Sequence, residues 1–230
     1  GDGSGTYLVQ FKWLGIQSMD ALMAQLGHVP LPPYISRPDS EMDEERYQTI
    51  FARIQGSVAA PTAGLHFSDA VLEEIRKKQV NIAFVVLHVG LGTFQPMKDE
   101  IVENHKMHRE FFSVPEATAE AIQETKKRGG RVIAIGTTSA RALESYANGF
   151  GAVAAGEGAA AAAENSGWTD IYLRPGSEFK IIDALFTNFH QPKSSLIVML
   201  SAFAGKEFIQ KAYAEAIEKK YRFLSYGDCM

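Results

Sequence analysis

Residues 81–89 read NIAFVVLHV, an almost unbroken apolar run ending in a histidine. A short run of this kind, rich in β-branched residues and without alternation, predicts a strand buried on both faces. Upstream, Ser68 is placed to cap a helix over Asp69–Lys78, with Val71, Leu72 and Ile75 on one face. Further upstream, Met42–Ile54 reads as a helix with early acids. Downstream, Pro115 opens a helix that runs to Arg128, and Gly129-Gly130 stops it. Arg131–Ile135 is a second buried strand, and Thr138 or Ser139 can start the next helix. Ile171–Leu173 and Phe179–Ile182 read as short strands, and Ser194–Phe203 and Lys206–Lys220 as helices separated by Gly205. Alternating strands and helices predict an α/β fold with a largely parallel sheet covered on both sides. Ligands in such folds sit beyond the carboxyl ends of the strands.

Size and charge narrow the function classes. The chain has 230 residues and 46% apolar residues, enough for one large domain or one domain and part of a second. Its longest apolar run, Leu196–Ala204, reaches about half the roughly 18 residues of a membrane span. Cys229 is the one cysteine, so neither an internal disulfide framework nor a cysteine metal site is expected. With no signal-like start, a cytoplasmic location is expected. The net charge of −4 argues against nonspecific coating of nucleic acid. A local basic patch remains possible at Arg76–Lys78, at Lys126–Arg128 with Arg131, or at Lys219-Lys220 with Arg222. Each taken alone reads better as a solvated helix end placed against the dipole.

The N-terminal part is different in character. A glycine turn, Gly1–Gly5, precedes a strand candidate, Thr6–Trp13. Ser18 can cap a helix through Leu26 that Gly27 ends, and Pro30, Pro32 and Pro33 force an extended connection. A lone strand and helix ahead of a proline linker cannot make a core, so residues 1–29 are expected to be the tail of another domain and 30–230 the α/β domain. Residues 149–167, with the tract Ala159–Ala163, read as a flexible surface loop without assigned function.

Four loops carry candidate chemistry. In PTAGLHF (61–67), Gly64 lets backbone approach a ligand, Thr62 offers a hydroxyl, and His66 precedes a helix start. In HVGLGTF (88–94), Gly90 and Gly92 flank Leu91 directly after a strand, and His88 can act as a general base. It is no dinucleotide fingerprint, for the third glycine is missing. In GTTSAR (136–141), Thr137, Thr138 and Ser139 bring three hydroxyls to a helix start, and Arg141 can pair with a carboxylate. In TNFHQPKSS (187–195), Asn188 and His190 are hydrogen-bonding groups in a tight turn, and Phe189 could stack on a base. Each loop has a purely structural reading of similar weight: a glycine turn, a buried histidine closing a strand, an N-cap with spare hydroxyls, a turn with one core phenylalanine. His105 and His108 stand three apart, but with no third ligand nearby a metal site is not expected.

The order of the loops says more than any one of them. GSVAAPTAGLHF (56–67), HVGLGTF, MHREFF (107–112), GTTSARALE (136–144), PGSEFKIIDALFTNFHQPKSSLIVMLSAFAG (175–205), AYAEAIE (212–218) and YRFLSYGDCM (221–230) follow one another in a series that resembles the S-adenosylmethionine:tRNA ribosyltransferase-isomerase family from about Leu26 to Met230. The resemblance implies a three-layer α/β/α domain joined to a small β-barrel domain, with the site between them. It implies transfer and isomerisation of the ribosyl moiety of S-adenosylmethionine onto 7-aminomethyl-7-deazaguanine at the wobble position of a tRNA with a GUN anticodon. The products would be epoxyqueuosine-tRNA, adenine and methionine. No cofactor beyond the S-adenosylmethionine cosubstrate, no metal, no membrane and a monomer are expected.

On that resemblance, His88 and His66 become base and acid candidates. The Thr137–Ser139 turn with Arg141 would hold the methionine carboxylate, and Asn188, Phe189 and His190 the deazaguanine or adenine. Asp228 would contact an ammonium or a ribose hydroxyl, with Arg222 and Tyr226 beside it in the C-terminal motif.

The chain also departs from the family pattern. An Asn-Asn-Thr-Arg-Val-like motif and most of the barrel are not in it, so an exposed apolar face is expected. Gln95 stands where a basic residue is usual, Ser68 replaces a threonine, and Cys229 replaces an alanine. Two rivals make different predictions. A methyltransferase would yield S-adenosylhomocysteine; a noncatalytic RNA-binding module would bind tRNA without the cosubstrate and release no adenine.

Overall fold

The computed structural model describes residues 9–12, 15, 18–90, 97, 101–150 and 165–230. Leu91–Gln95, with Gly92 among them, the tract 159–163 and most of the Thr6–Trp13 candidate lie outside the described residues, and 9–12 carry no strand.

Helices form where the sequence supplies a start and a stop. Helix α1 (Met19–Leu26) begins at Ser18, whose hydroxyl accepts the Ala21 N–H, and ends at Gly27. Helix α2 (Glu41–Arg46) is much shorter than the expected 42–54. Its Asp43 closes a capping box with Ser40, and the chain then leaves the helix at Tyr47, which packs edge-on against Tyr226 and is buried. Helix α3 (Asp69–Lys77) starts at Ser68, and α4 (Glu116–Lys127) follows Pro115, both as expected. Helix α5 (Gly136–Ala147) starts two or three residues earlier than Thr138 or Ser139. Helices α6 (Ser195–Ala204) and α7 (Lys206–Glu218) flank Gly205.

The strands are shorter than expected and differently placed. Strand β1 is Val86–His88, β2 Glu110–Ser113, β3 Ile133–Ile135, β4 Ser166–Thr169 and β5 Ala184–Phe186. Strands β1, β2 and β4 form one sheet in which both ladders are antiparallel, with Leu87 opposite Phe112 and Phe112 opposite Gly167. Only β3 and β5 pair in parallel, Ala134 opposite Leu185. The largely parallel sheet is therefore corrected to a mixed arrangement among the described residues. A parallel crossover needs a covering helix, and between β1 and β2 the described residues offer only a short 3-10 turn, Val102–Asn104.

Side-chain bonds explain where strands fail. The Phe84 carbonyl accepts the Thr118 hydroxyl of α4, so the front of the 81–89 run is spent on a helix. The 179–182 segment gives the N–H groups of Lys180, Ile181 and Ile182 to the Glu144 carboxylate and joins no ladder. Strand β4 begins at Ser166, so the last two residues of the 149–167 stretch expected to be a loop are in a strand.

The core gathers Leu87 and Phe112 from the antiparallel sheet, Ala134 from β3, Ala140 and Leu143 from α5, and Ile181, Ile182 and Met199. Helix α5 runs through it carrying polar side chains inward: Arg141, Glu144 and Ser145 are all buried, at helical spacing on one face. The Ser145 hydroxyl meets that of Thr169 at 2.6 Å, which ties α5 to β4. Of the described helices, none is long and apolar enough to cross a membrane.

Candidate functional site

Strands β3 and β5 run in parallel, and the loops leaving their carboxyl ends open onto one cleft of about 410 Å³. From β3 come Gly136, Thr137 and Thr138; from β5 come Thr187, Asn188 and His190; the PTAGLHF turn adds Thr62, and Val89 follows β1. Three of the four loops picked out in the sequence thus converge, in the position expected for an α/β fold.

Gly136 makes this possible. Its φ of +86° suits glycine, and a Cβ there would sit 3.3 Å from that of Ala63, so the start of α5 packs directly on the Thr62 turn. No side chain caps this helix end, which leaves its first-turn N–H groups beside the cleft. Tyr34, Leu224 and Ser225 complete the wall, and the Tyr34 hydroxyl donates to Ser225 Oγ at 3.1 Å.

Behind this wall the polar groups are held in fixed roles. Asn188 is buried, and its amide N–H groups face the carbonyls of Leu224 at 3.1 Å and Ser225 at 3.4 Å. Carbonyls only accept, so Nδ2 faces them, and it also lies 3.3 Å from His66 Nε2. Burial lowers the His66 pKa, against an opposing pull from Asp228. His190 bonds Thr187 Oγ1 through Nε2 at 2.9 Å, and its backbone N–H donates to the Tyr213 hydroxyl. Burial pushes its pKa down to about 4, so its ring is neutral near pH 7.

A second, smaller cavity of about 30 Å³ adjoins the cleft, and Leu196 lines both. Here lies Arg141, away from the Thr137–Thr138 wall of the cleft, with 9% of its side chain exposed. Its Nη1 donates to Glu110 Oε2, and Glu110 Oε1 accepts the Gly90 N–H at 3.0 Å. Glu110 therefore joins the second loop to the third. Sequence reading passed over it, because MHREFF drew notice only for its histidine. The signal available was its place two residues before Phe112, on the same inward face of a short strand.

Other candidates stand apart from the cleft. His88 ends β1 with its ring against Phe111 and over Gly56, where φ is +128° and a Cβ would come within 2.7 Å of that ring. Gly64 is where backbone packs on Thr49 and Phe51, since a Cβ would lie 2.9 Å from the Thr49 methyl. Ser139 sits in the first turn of α5, half-buried. Phe189 is a core residue: it stacks on Phe223 at 5.0 Å and meets Tyr213 and Tyr221 edge-on, which leaves no face for a base.

The C-terminal trio is engaged elsewhere. Arg222 pairs with Asp228 at 2.9 Å, which lowers the Asp228 pKa. The Tyr226 hydroxyl donates to Asp43, which Arg37 grips bidentately at 2.7 and 2.8 Å. Arg37 holds the Asp43 carboxyl well below the usual carboxylate range. This cluster clamps the C-terminal segment onto residues 37–47, and it is Leu224 and Ser225 that reach the cleft. No group of three or more histidine, cysteine or acidic side chains suited to a metal occurs among the described residues.

The arrangement is that of an α/β ligand-binding chain whose site is assembled from loops at strand ends. The sequence pattern of the Queuosine biosynthesis protein family matches residues 2–230, and the chain belongs to that family. It is similar to the S-adenosylmethionine:tRNA ribosyltransferase-isomerase of Thermoanaerobacter sp. (strain X514), 52% identical over 226 residues, covering 98% of this chain and 62% of that protein. The enzyme of the same name from Francisella philomiragia is 53% identical over 226 residues, covering 98% and 63%. A crystal structure of S-adenosylmethionine tRNA ribosyltransferase from Thermotoga maritima shares the fold with a TM-score of 0.57 at 41% identity, over 73% of this chain and 50% of that one. The chain spans about three-fifths of the length of the relatives it matches.

Proposed function

We propose that this chain carries the cosubstrate site of an S-adenosylmethionine:tRNA ribosyltransferase-isomerase. It transfers and isomerises the ribosyl moiety of S-adenosylmethionine onto 7-aminomethyl-7-deazaguanine at the wobble position of a tRNA with a GUN anticodon. Epoxyqueuosine-tRNA, adenine and methionine result. The observation that carries this reading is the 410 Å³ cleft at the ends of the parallel strand pair, in a chain 52% identical to proteins named for that reaction. Its volume suits a nucleoside, within the roughly 300–1,000 Å³ of small-molecule sites.

Thr62, Thr137, Thr138, Asn188 and His190 hold the adenosyl part, with hydroxyls and amides in place of charges. A sulfonium acidifies the adjacent C5′ hydrogens, so a base can remove one; the departing adenine gains from a proton donor, and the incoming amine must lose a proton. His66 and His88 are the proton-carrier candidates, His66 next to the cleft through its contact with Asn188 and His88 outside it at the end of β1. Asp228 acts on His66 through its charge rather than on substrate. The reading calls for no metal and no further cofactor. It places residues 30–230 in a three-layer α/β/α catalytic domain and 1–29 in the remnant of a β-barrel domain, in a cytoplasmic, monomeric enzyme.

The test is incubation with S-adenosylmethionine labelled in adenine and tRNA bearing the aminomethyl base. Free adenine that depends on that base is expected. S-adenosylhomocysteine instead would mean a methyltransferase, and tRNA binding without turnover a noncatalytic module; either overturns the reading. Full turnover by a folded His88→Ala variant would remove His88 from the proton-transfer role.

A further inference from the structure

We propose that the outer face of the antiparallel sheet is a docking surface for the unpaired nucleotides of the tRNA anticodon loop. This rests on the reading of the chain as part of a tRNA-modifying enzyme. Along β1, Leu87 and Val89 belong to the core with Val85 packed against it, so Phe84, Val86 and His88 fall on the opposite face. On β2, Phe112 is a core residue, and Phe111 faces outward with His88 and Trp168 as its cross-strand neighbours. The rings follow one another across the three strands, with centroids 5.7 Å apart from His88 to Phe111 and 5.8 Å from Phe111 to Trp168. His88, with Gly56 against its ring, anchors this row, and Trp168 at its far end is 47% exposed. A single exposed ring needs no explanation, but a contiguous row marks an interaction surface.

Charge selects the partner. The Arg109 guanidinium lies over the Trp168 ring, 5.9 Å from its centre. At the other end, four residues before His88, Arg53 lies over the exposed Phe84 at 5.4 Å. Both arginines are exposed, and neither has an ion pair with a carboxylate among the described residues; Asp170, one residue past β4, leaves Arg109 unpaired. Their stems rest on rings while their cations stay free for phosphates. The acid of this sheet, Glu110, faces inward to Arg141. Rings in a row with cations at the margin hold single-stranded nucleic acid: bases stack on the rings and the backbone meets the cations. A net charge of −4 is poorly suited to gripping RNA by charge alone, so stacking carries the larger share. The row also starts beside the cleft, because Val89, which follows His88, lines it. Bases laid from His88 toward Trp168 therefore lead away from the cleft, as the neighbours of a wobble base held there must.

Fluorescence tests this. With Trp13→Phe, Trp168 is the one tryptophan left. Its emission is followed while the protein is titrated with the anticodon stem-loop RNA of a GUN tRNA and, separately, with the same stem as a blunt duplex. The stem-loop is expected to bind and quench Trp168, and the duplex, whose bases are already stacked, to leave it unquenched. Trp168→Ala and Arg109→Ala are each expected to weaken stem-loop binding about tenfold, with Trp168→Phe recovering most of the loss and 5′-methylthioadenosine binding the cleft as before. Should the alanine variants not fold, quenching of the unaltered Trp168 decides alone. No binding of the stem-loop, or binding that neither quenches Trp168 nor weakens in Trp168→Ala, would overturn the docking surface. In the second case the face belongs to a protein surface, such as the part of its relatives that this chain does not span. Adenine release from the modified tRNA without quenching would sink the surface and leave the enzymatic reading standing.

Discussion

The two adjoining cavities are built on opposite principles. The large cleft is walled by threonines, an asparagine, a neutral histidine and helix-start amides, and carries no charged side chain among the described residues. The small one holds a buried ion pair, with Arg141 and Glu110 both nearly inaccessible. Neutral hydroxyls and amides can be left facing solvent at little cost. A buried charge is tolerated only with its partner in place. The large cleft should therefore accept substitution with loss of binding but not of fold, while the small cavity should fail as a structure when half of it is removed.

The largest effect is expected there. Glu110→Ala strands Arg141 without a counter-charge and should destabilise the protein by about 3–5 kcal/mol in urea unfolding; replacing both partners by methionine should recover most of that. Recovery failing in the double variant would break the comparison. Next comes Glu144→Ala, which removes the acceptor of three backbone N–H groups and should cost about 3 kcal/mol.

His190 predicts a pH effect of similar size on the cleft side. Its pKa falls from 6.5 in the unfolded chain to about 4 in the fold, so the unfolded state binds the proton more readily. The associated stability is full above about 6.5 and is lost as pH drops toward 4. At about 1.4 kcal/mol per pH unit this is about 3 kcal/mol, to be read as the difference in acid dependence between the unaltered protein and His190→Asn.

Smaller changes sharpen the contrast. Thr138→Val should leave stability within about 0.5 kcal/mol and weaken 5′-methylthioadenosine binding by up to about tenfold, about 1.4 kcal/mol. Smallest of all, Arg222→Ala breaks a pair whose arginine is mostly exposed and should leave the urea unfolding midpoint unchanged.

The same contrast decides what could be read from the sequence. The large cleft was legible, because its loops announce themselves through glycine, threonine and histidine after apolar runs. Helices α3, α4, α6 and α7 were legible through Ser68, Pro115, Ser194 and Gly205, local signals that need no knowledge of neighbours. The small cavity was not, because Glu110, Arg141 and Gly90 lie far apart in the chain and meet only after β2 has paired with β1. Nor could local pattern reveal that Ile181 and Ile182 would give their amides to Glu144, or that the 81–89 strand would run antiparallel to its neighbour. An apolar run records burial and says nothing of direction. Phe189 misled for a related reason: a solvent-facing ring and one in a buried aromatic cluster look alike in sequence.

The most direct test of the two-cavity account is a crystal structure of the protein with S-adenosylhomocysteine. The account predicts adenosyl density in the cleft between Thr62, Thr138 and Asn188. Ligand bound elsewhere, with both cavities unchanged, would contradict it.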